Sequence, residues 1–303
     1  MKRLQFLRIR LSILIGSVAL FLFPHSIWGA AHLASLEQTR DKPIHAPLLD
    51  VPERMVAKNG FNHFYNMEYD AAIQDFELAQ QAYPDDPFAV NHLLQAILVR
   101  ELYRERALDA ELYFGAEFFQ ARKILVDANI EARIEEVIER ALQLSASRLK
   151  SNPNDVDALY ARGVTEALRA TDLALVEKAW FAALRSGLGA CRNHKQVLNL
   201  SPGYSDAKLV VCFYSCAIGS LPWPERIATF LLTFTGNKSN GIEYIKQAAD
   251  GGGEASVDAK VALALILARE RHYSGAISLM HGLYSSYPGN FLFAMSEADL
   301  LKT

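Results

Sequence analysis

From Glu53 onward, apolar residues recur three and four positions apart, and the pattern breaks only where turn-forming residues cluster. That spacing lines apolar side chains along one face of a helix and predicts a chain that is helical almost throughout. Breaks fall at residues 84–87, 152–155, 201–203, 251–253 and 288–290. In each break, proline or glycine ends a helix, or asparagine and aspartate can begin the next. No stretch alternates apolar and polar residues between turn signals, so no strand is predicted and the fold class is all-α. Residues 106–123 and 130–150 read as long helices. In the second of these, Ile134, Val137, Ile138, Ala141 and Leu142 form one apolar stripe, with Glu131, Glu135, Glu136 and Glu139 on the opposite, solvated face.

The breaks carry a longer period. Gly60, Ala72, Phe76, Ala79 and Pro84 are separated by 12, 4, 3 and 5 residues, and Ala264, Ala276, Met280, Leu283 and Pro288 stand at the same separations. Tyr69 and Tyr273 each precede the alanine by three residues. A third unit begins after Pro153, with Leu159 and Gly163 four apart and Ala179 and Ala182 at its later small positions. Small residues let two antiparallel helices approach closely, a large apolar residue such as Phe76 or Met280 fills the space above them, and the proline ends the unit. This pattern resembles the tetratricopeptide repeat, a helix-turn-helix unit of about 34 residues. The resemblance implies an α-solenoid of stacked repeats with roughly 12–14 helices, each unit burying its face only against its neighbours.

The C-terminal half has a narrower likeness. Tyr204 to Ala207, Gly219 to Trp223, Thr235 to Lys238 and Gly241-Ile242 look like a group of bacterial tetratricopeptide proteins of unassigned role, and more distantly like the eukaryotic inclusion-body clearance proteins. In such repeats the first helix of each unit contacts ligand on the concave side. That implies Arg54, Ala57, Phe61 and Phe64 in the first unit, Asp157, Tyr160, Val164 and Ala167 in the third, and Asp258, Val261, Leu265 and Ala268 in the last. The set holds no cluster of Lys or Arg to clamp a carboxylate. Its aromatic members make Phe61, Phe64 and Tyr160 candidate partner-binding residues.

The first residues change the setting. Lys2, Arg3, Arg8 and Arg10 precede an apolar run from Leu11 to Phe23, Pro24 follows, and Gly29, Ala30 and Ala31 offer a small-residue cleavage site. Residues 1–31 read as a signal peptide, 32–52 as a polar, proline-containing linker or arm, and 53–303 as the repeat domain. Export implies a periplasmic or secreted protein, touching a membrane only through an uncleaved signal anchor. The whole chain carries 31 basic and 34 acidic residues, a net charge of −3. Loss of the leader removes four basic residues and no acidic ones, which argues against a nucleic-acid surface.

Candidate chemistry is sparse. Cys191 and His194 lie three apart, and Cys212 and Cys216 four apart, spacings poorly suited to a zinc site. Buried thiols, or one disulfide from Cys191 to Cys212 or Cys216, are the competing readings, and an odd count leaves one thiol unpaired. Trp223, between Pro222 and Pro224, is either a rigidly mounted partner anchor or a cap on the core. Nucleophile elbows, phosphate loops and His-Glu-x-x-His pairs are missing, and no cofactor is indicated. The sequence therefore points to a scaffold that binds a protein or peptide partner without catalysis. The alternative is a soluble small-molecule carrier serving an envelope transporter. An apolar cavity through the stack would favour the carrier, and an open groove the scaffold.

Overall fold

A computed structural model describes residues 57–108, 123–211 and 238–302. Signal peptide, linker, Arg54, Trp223, Cys212 and Cys216 lie outside the described residues. Among these residues every regular element is a helix: α1 (Lys58–Tyr65), α2 (Tyr69–Ala82), α3 (Pro87–Arg104), α4 (Ala128–Ser151), α5 (Val156–Leu175), α6 (Trp180–Leu200), α7 (205–211), α8 (Lys238–Asp250), α9 (Ser256–Arg269), α10 (Tyr273–Ser286) and α11 (Phe291–Leu300). Sequential helices pack in pairs, α1 on α2, α3 on α4, α5 on α6, α9 on α10, and α3 also reaches α2 and α5. The fold is an all-helical repeat stack.

All five sequence breaks are inter-helix turns, and three carry side-chain caps. The carboxylate of Asp86 accepts from Phe88 N–H at 3.1 Å, with Pro87 in the first helical turn; Asp155 accepts from Ala158 N–H at 3.0 Å, and the Asn290 amide oxygen from Leu292 N–H at 3.2 Å. These side chains satisfy amides that the first turn leaves without a partner, each contributing about 1 kcal/mol.

Three turns inside helix pairs carry a residue in the left-handed conformation. Met67, Lys178 and Arg271 each have positive φ, 66°, 59° and 65°, and each stands two residues before the second helix of its pair. Arg106, at φ 55°, stands two residues past α3. At α1, α3 and α9 the same bond closes the turn, from Glu68 N–H to His63 O (2.9 Å), Ala107 N–H to Leu102 O (2.7 Å) and His272 N–H to Leu267 O (2.8 Å). This is the six-to-one bond that satisfies a helix's last carbonyls through a left-handed residue. Arg106 therefore belongs to a turn and does not begin a helix, contrary to the periodicity; residues 109–122 lie outside the described set.

Core positions of the first and last units fall where the spacing places them. Gly60, Ala72, Phe76 and Ala79 are buried, as are Ala264, Ala276, Met280 and Leu283. A Cβ on Gly60 would sit 2.5 Å from the Phe76 ring, so this close approach requires glycine. The third unit departs from expectation. Ala182 is exposed and Ala179 precedes α6, while the buried small residues are Ala183, Gly187, Gly189 and Ala190. The reason is length. α5 and α6 span 20 and 21 residues, so Gly163 lies far from the turn and meets His194 near the distant end of α6.

Both ends of the described stack touch. Asn66 Oδ1 accepts from Gly289 N–H at 2.9 Å, Asn290 Nδ2 donates to Tyr65 O at 2.9 Å, and the Tyr65 and Tyr287 rings lie 5.2 Å apart. Val257 and Tyr287 pack against both the N-terminal and the C-terminal cores.

Candidate functional site

Two openings matter, and they lie on opposite sides of α5. Tyr160 and Val164 face one, and Arg162, Glu166, Arg169 and Leu173 face the other; at 100° per residue these sets project about half a turn apart.

The first opening is a crevice where α1, α3, α5 and the start of α9 converge. Phe61 lies edge-on to His92, ring centroids 4.7 Å apart, and to Phe76 at 5.2 Å. Tyr160 stacks on Phe88 at 5.8 Å and also contacts Tyr204 and His194. Phe61 and Tyr160 are thus brought to one crevice. Phe64 is not; it is buried against Tyr65 and Tyr69 in the packing of α1 on α2. Of the other concave positions, Val164 and Asp258 line the crevice, whereas Ala57, Ala167, Val261 and Ala268 are core.

Polar groups close the crevice floor. His92 Nε2 lies 3.0 Å from Glu254 Oε2, Asn91 Nδ2 donates to Ala161 O at 2.8 Å, and Thr165 Oγ1 donates to Asn91 Oδ1 at 2.7 Å. Burial raises the Asp258 carboxyl to about 7; the neighbouring Tyr65 hydroxyl partly offsets that and Asp206 adds to it. Tyr65 approaches Asp258 without closing full hydrogen-bond geometry, and burial pushes its hydroxyl well above the ordinary range. The free volume is about 30 Å³, room for one or two waters.

The second opening is a groove of about 750 Å³ between α4, α5 and α6. Leu142 and Ala146 line it from α4, Leu173 from α5, and Phe181, 91 % exposed, from the start of α6. Four arginines enter it: Arg162 and Arg169 from α5, Arg185 and Arg192 from α6. Glu166 is its one carboxylate and accepts from Arg162 Nε at 3.4 Å. A Cβ on Gly189 would collide with the Glu166 carboxylate, so glycine makes the space that this side chain fills. Burial raises the Glu166 carboxyl, against the pull of Arg162, Arg192 and Arg169.

Cys191 is a free thiol, fully buried in α6, and burial pushes it up to about 11, which keeps it protonated and unreactive. His194 is buried beneath Gly163 and lowered to about 4 by burial; its Nδ1 lies 2.8 Å from Ala190 O. Among the described residues no three His, Cys, Asp or Glu side chains converge as a metal site would require. None of the described helices is long and apolar enough to cross a membrane.

No family model matches this chain, and no curated protein matches it. Among solved structures it is similar to a thermophilic TPR protein of Thermus thermophilus, at 14 % identity and a TM-score of 0.44, covering 83 % of this chain and 100 % of that one. The assignment of the fold rests on the helix pairs and shared turns of this chain itself.

Proposed function

We propose that this chain is an exported helical-repeat scaffold that holds a protein or peptide partner and performs no catalysis. The observation that carries this reading is the contrast between its two openings. The aromatic crevice is about 30 Å³, whereas pockets that enclose a small organic ligand hold roughly 300–1,000 Å³ and bury most of its surface. The larger opening, about 750 Å³, reaches that volume, but it is an open groove entered by an exposed phenylalanine and four arginines rather than an enclosed apolar cavity, the character of a macromolecular contact. The basic leader, the short apolar run and the small residues at 29–31 support export.

Native mass spectrometry of the chain isolated from its own cells tests both parts. The expected spectrum is a mature chain beginning near His32 together with a complex heavier by the mass of a polypeptide. A chain that keeps Met1 would overturn cleavage, and one recovered with Met1 from the cytoplasm would overturn export. A complex heavier only by a small organic compound would replace the scaffold with the carrier.

A further inference from the structure

Arg162 and Arg169 are seven residues apart on α5, and Arg185 and Arg192 are seven apart on α6. Seven residues span two helical turns, about 10.5 Å. The antiparallel pair therefore presents two guanidinium groups on each wall of the groove. Ser186 Oγ, bonded to Glu166 O at 2.9 Å, sets this register between the helices. Arg169 lies 3.6 Å from Glu135 on α4, and Arg162 is held by Glu166. Arg185 and Arg192 are exposed, and although Arg192 lies close enough to draw on the Glu166 carboxyl, Glu166's hydrogen bond goes to Arg162. The groove carries four positive side chains and one negative on a chain whose net charge is −3, so the positive field is local to it.

We propose that this groove docks an extended acidic segment of a partner protein, with carboxylates at every third residue and an apolar side chain between them. In a left-handed extended chain with three residues per turn, every third side chain returns to the same face after about 9 Å, close to the distance between the arginines on one wall. Arginine forks bind carboxylates bidentately, and an apolar side chain on Phe181 and Leu142 would be removed from water. One feature favours a peptide over nucleic acid: the exposed Phe181 stands among the aliphatic Leu142, Ala146 and Leu173, which suit an apolar side chain between the carboxylates. The proposal rests on the scaffold reading and adds the chemistry of the partner.

Fluorescence anisotropy with a labelled peptide of repeated Glu-Glu-Leu triplets tests it on the full chain. The expected result is binding that weakens with added salt and that the Gln-Gln-Leu peptide does not reproduce. Arg185→Glu with Arg192→Glu should weaken it by roughly tenfold or more, and Phe181→Ser several-fold. Both arginines are exposed, so an unchanged helical circular dichroism signal is expected for the pair, and Arg185→Gln with Arg192→Gln gives the same test without charge reversal. Equal binding of the glutamine peptide, unchanged affinity in the arginine variants, or displacement of the peptide by a single-stranded oligonucleotide at lower concentration would each overturn the proposal. In cells, a partner polypeptide that stays attached to the arginine variants would defeat the groove and leave the scaffold standing. A chain that carries no polypeptide in either form would defeat the scaffold itself.

Discussion

At the scale of single residues, the stack depends on a few positions where two helices nearly touch. Ala72 is fully buried between α1 and α2, and Phe76 fills the space beside Gly60. Ala72→Leu should overpack this contact and cost roughly 1–3 kcal/mol in chemical denaturation; an unchanged midpoint would show that the two helices do not meet there. Buried ionisable residues set the pH response. Asp258 and Asp172 are both raised to about 7, chiefly by burial, from an ordinary 3.8. Between these values the folded chain holds more protons than the unfolded one, so their effect is a stability that falls as pH rises from about 4 to about 7. His194, lowered to about 4 from 6.5, acts oppositely: its contribution is lost as pH falls from 6.5 toward 4. Asp258→Asn should therefore lessen the fall in stability across the whole interval from about pH 4 to about pH 7, read from denaturation midpoints. A variant with an unchanged slope would mean that Asp258 ionises in the folded chain as it does in the unfolded one.

At the scale of helices, breaks were legible because proline, glycine and capping aspartates act locally. The spacing of small residues was legible wherever helices keep the length of the repeat, as at Gly60 to Ala79 and Ala264 to Leu283. It misled at Ala179 and Ala182, because α5 and α6 are longer and their contacts shift along the pair. The shared turn at Met67, Lys178 and Arg271 left no signal, since none is glycine, the residue that left-handed conformation favours. Arg271 is exposed, which makes it the clean site to test. Arg271→Ile should cost roughly 1–2 kcal/mol, whereas Arg271→Gly should be neutral or slightly stabilising. Equal effects of the two substitutions on the thermal midpoint would contradict the turn assignment. The groove arginines did have a sequence signal, two pairs at a seven-residue spacing. That signal becomes a site only once the register of α5 against α6 is known.

At the scale of the whole molecule, the contacts that join its ends bridge more than two hundred residues. Asn66 meets Gly289 and Asn290 meets Tyr65, while His92 meets Glu254 over a shorter span. No local periodicity could indicate these, and they explain why the aromatic face expected to be an open concave surface is a narrow crevice instead. Phe61 and Tyr160 line that crevice, and the arginine groove on the other side of α5 is the broader opening. In the proposed scaffold a polypeptide sits in this groove and not on the acidic outer face of α4. A photo-crosslinking amino acid placed at Phe181, and separately at the exposed Glu136, tests it most directly in the native host. A covalent polypeptide adduct is expected from position 181 and none from position 136. Equal adducts from both positions, or none from 181, would contradict it.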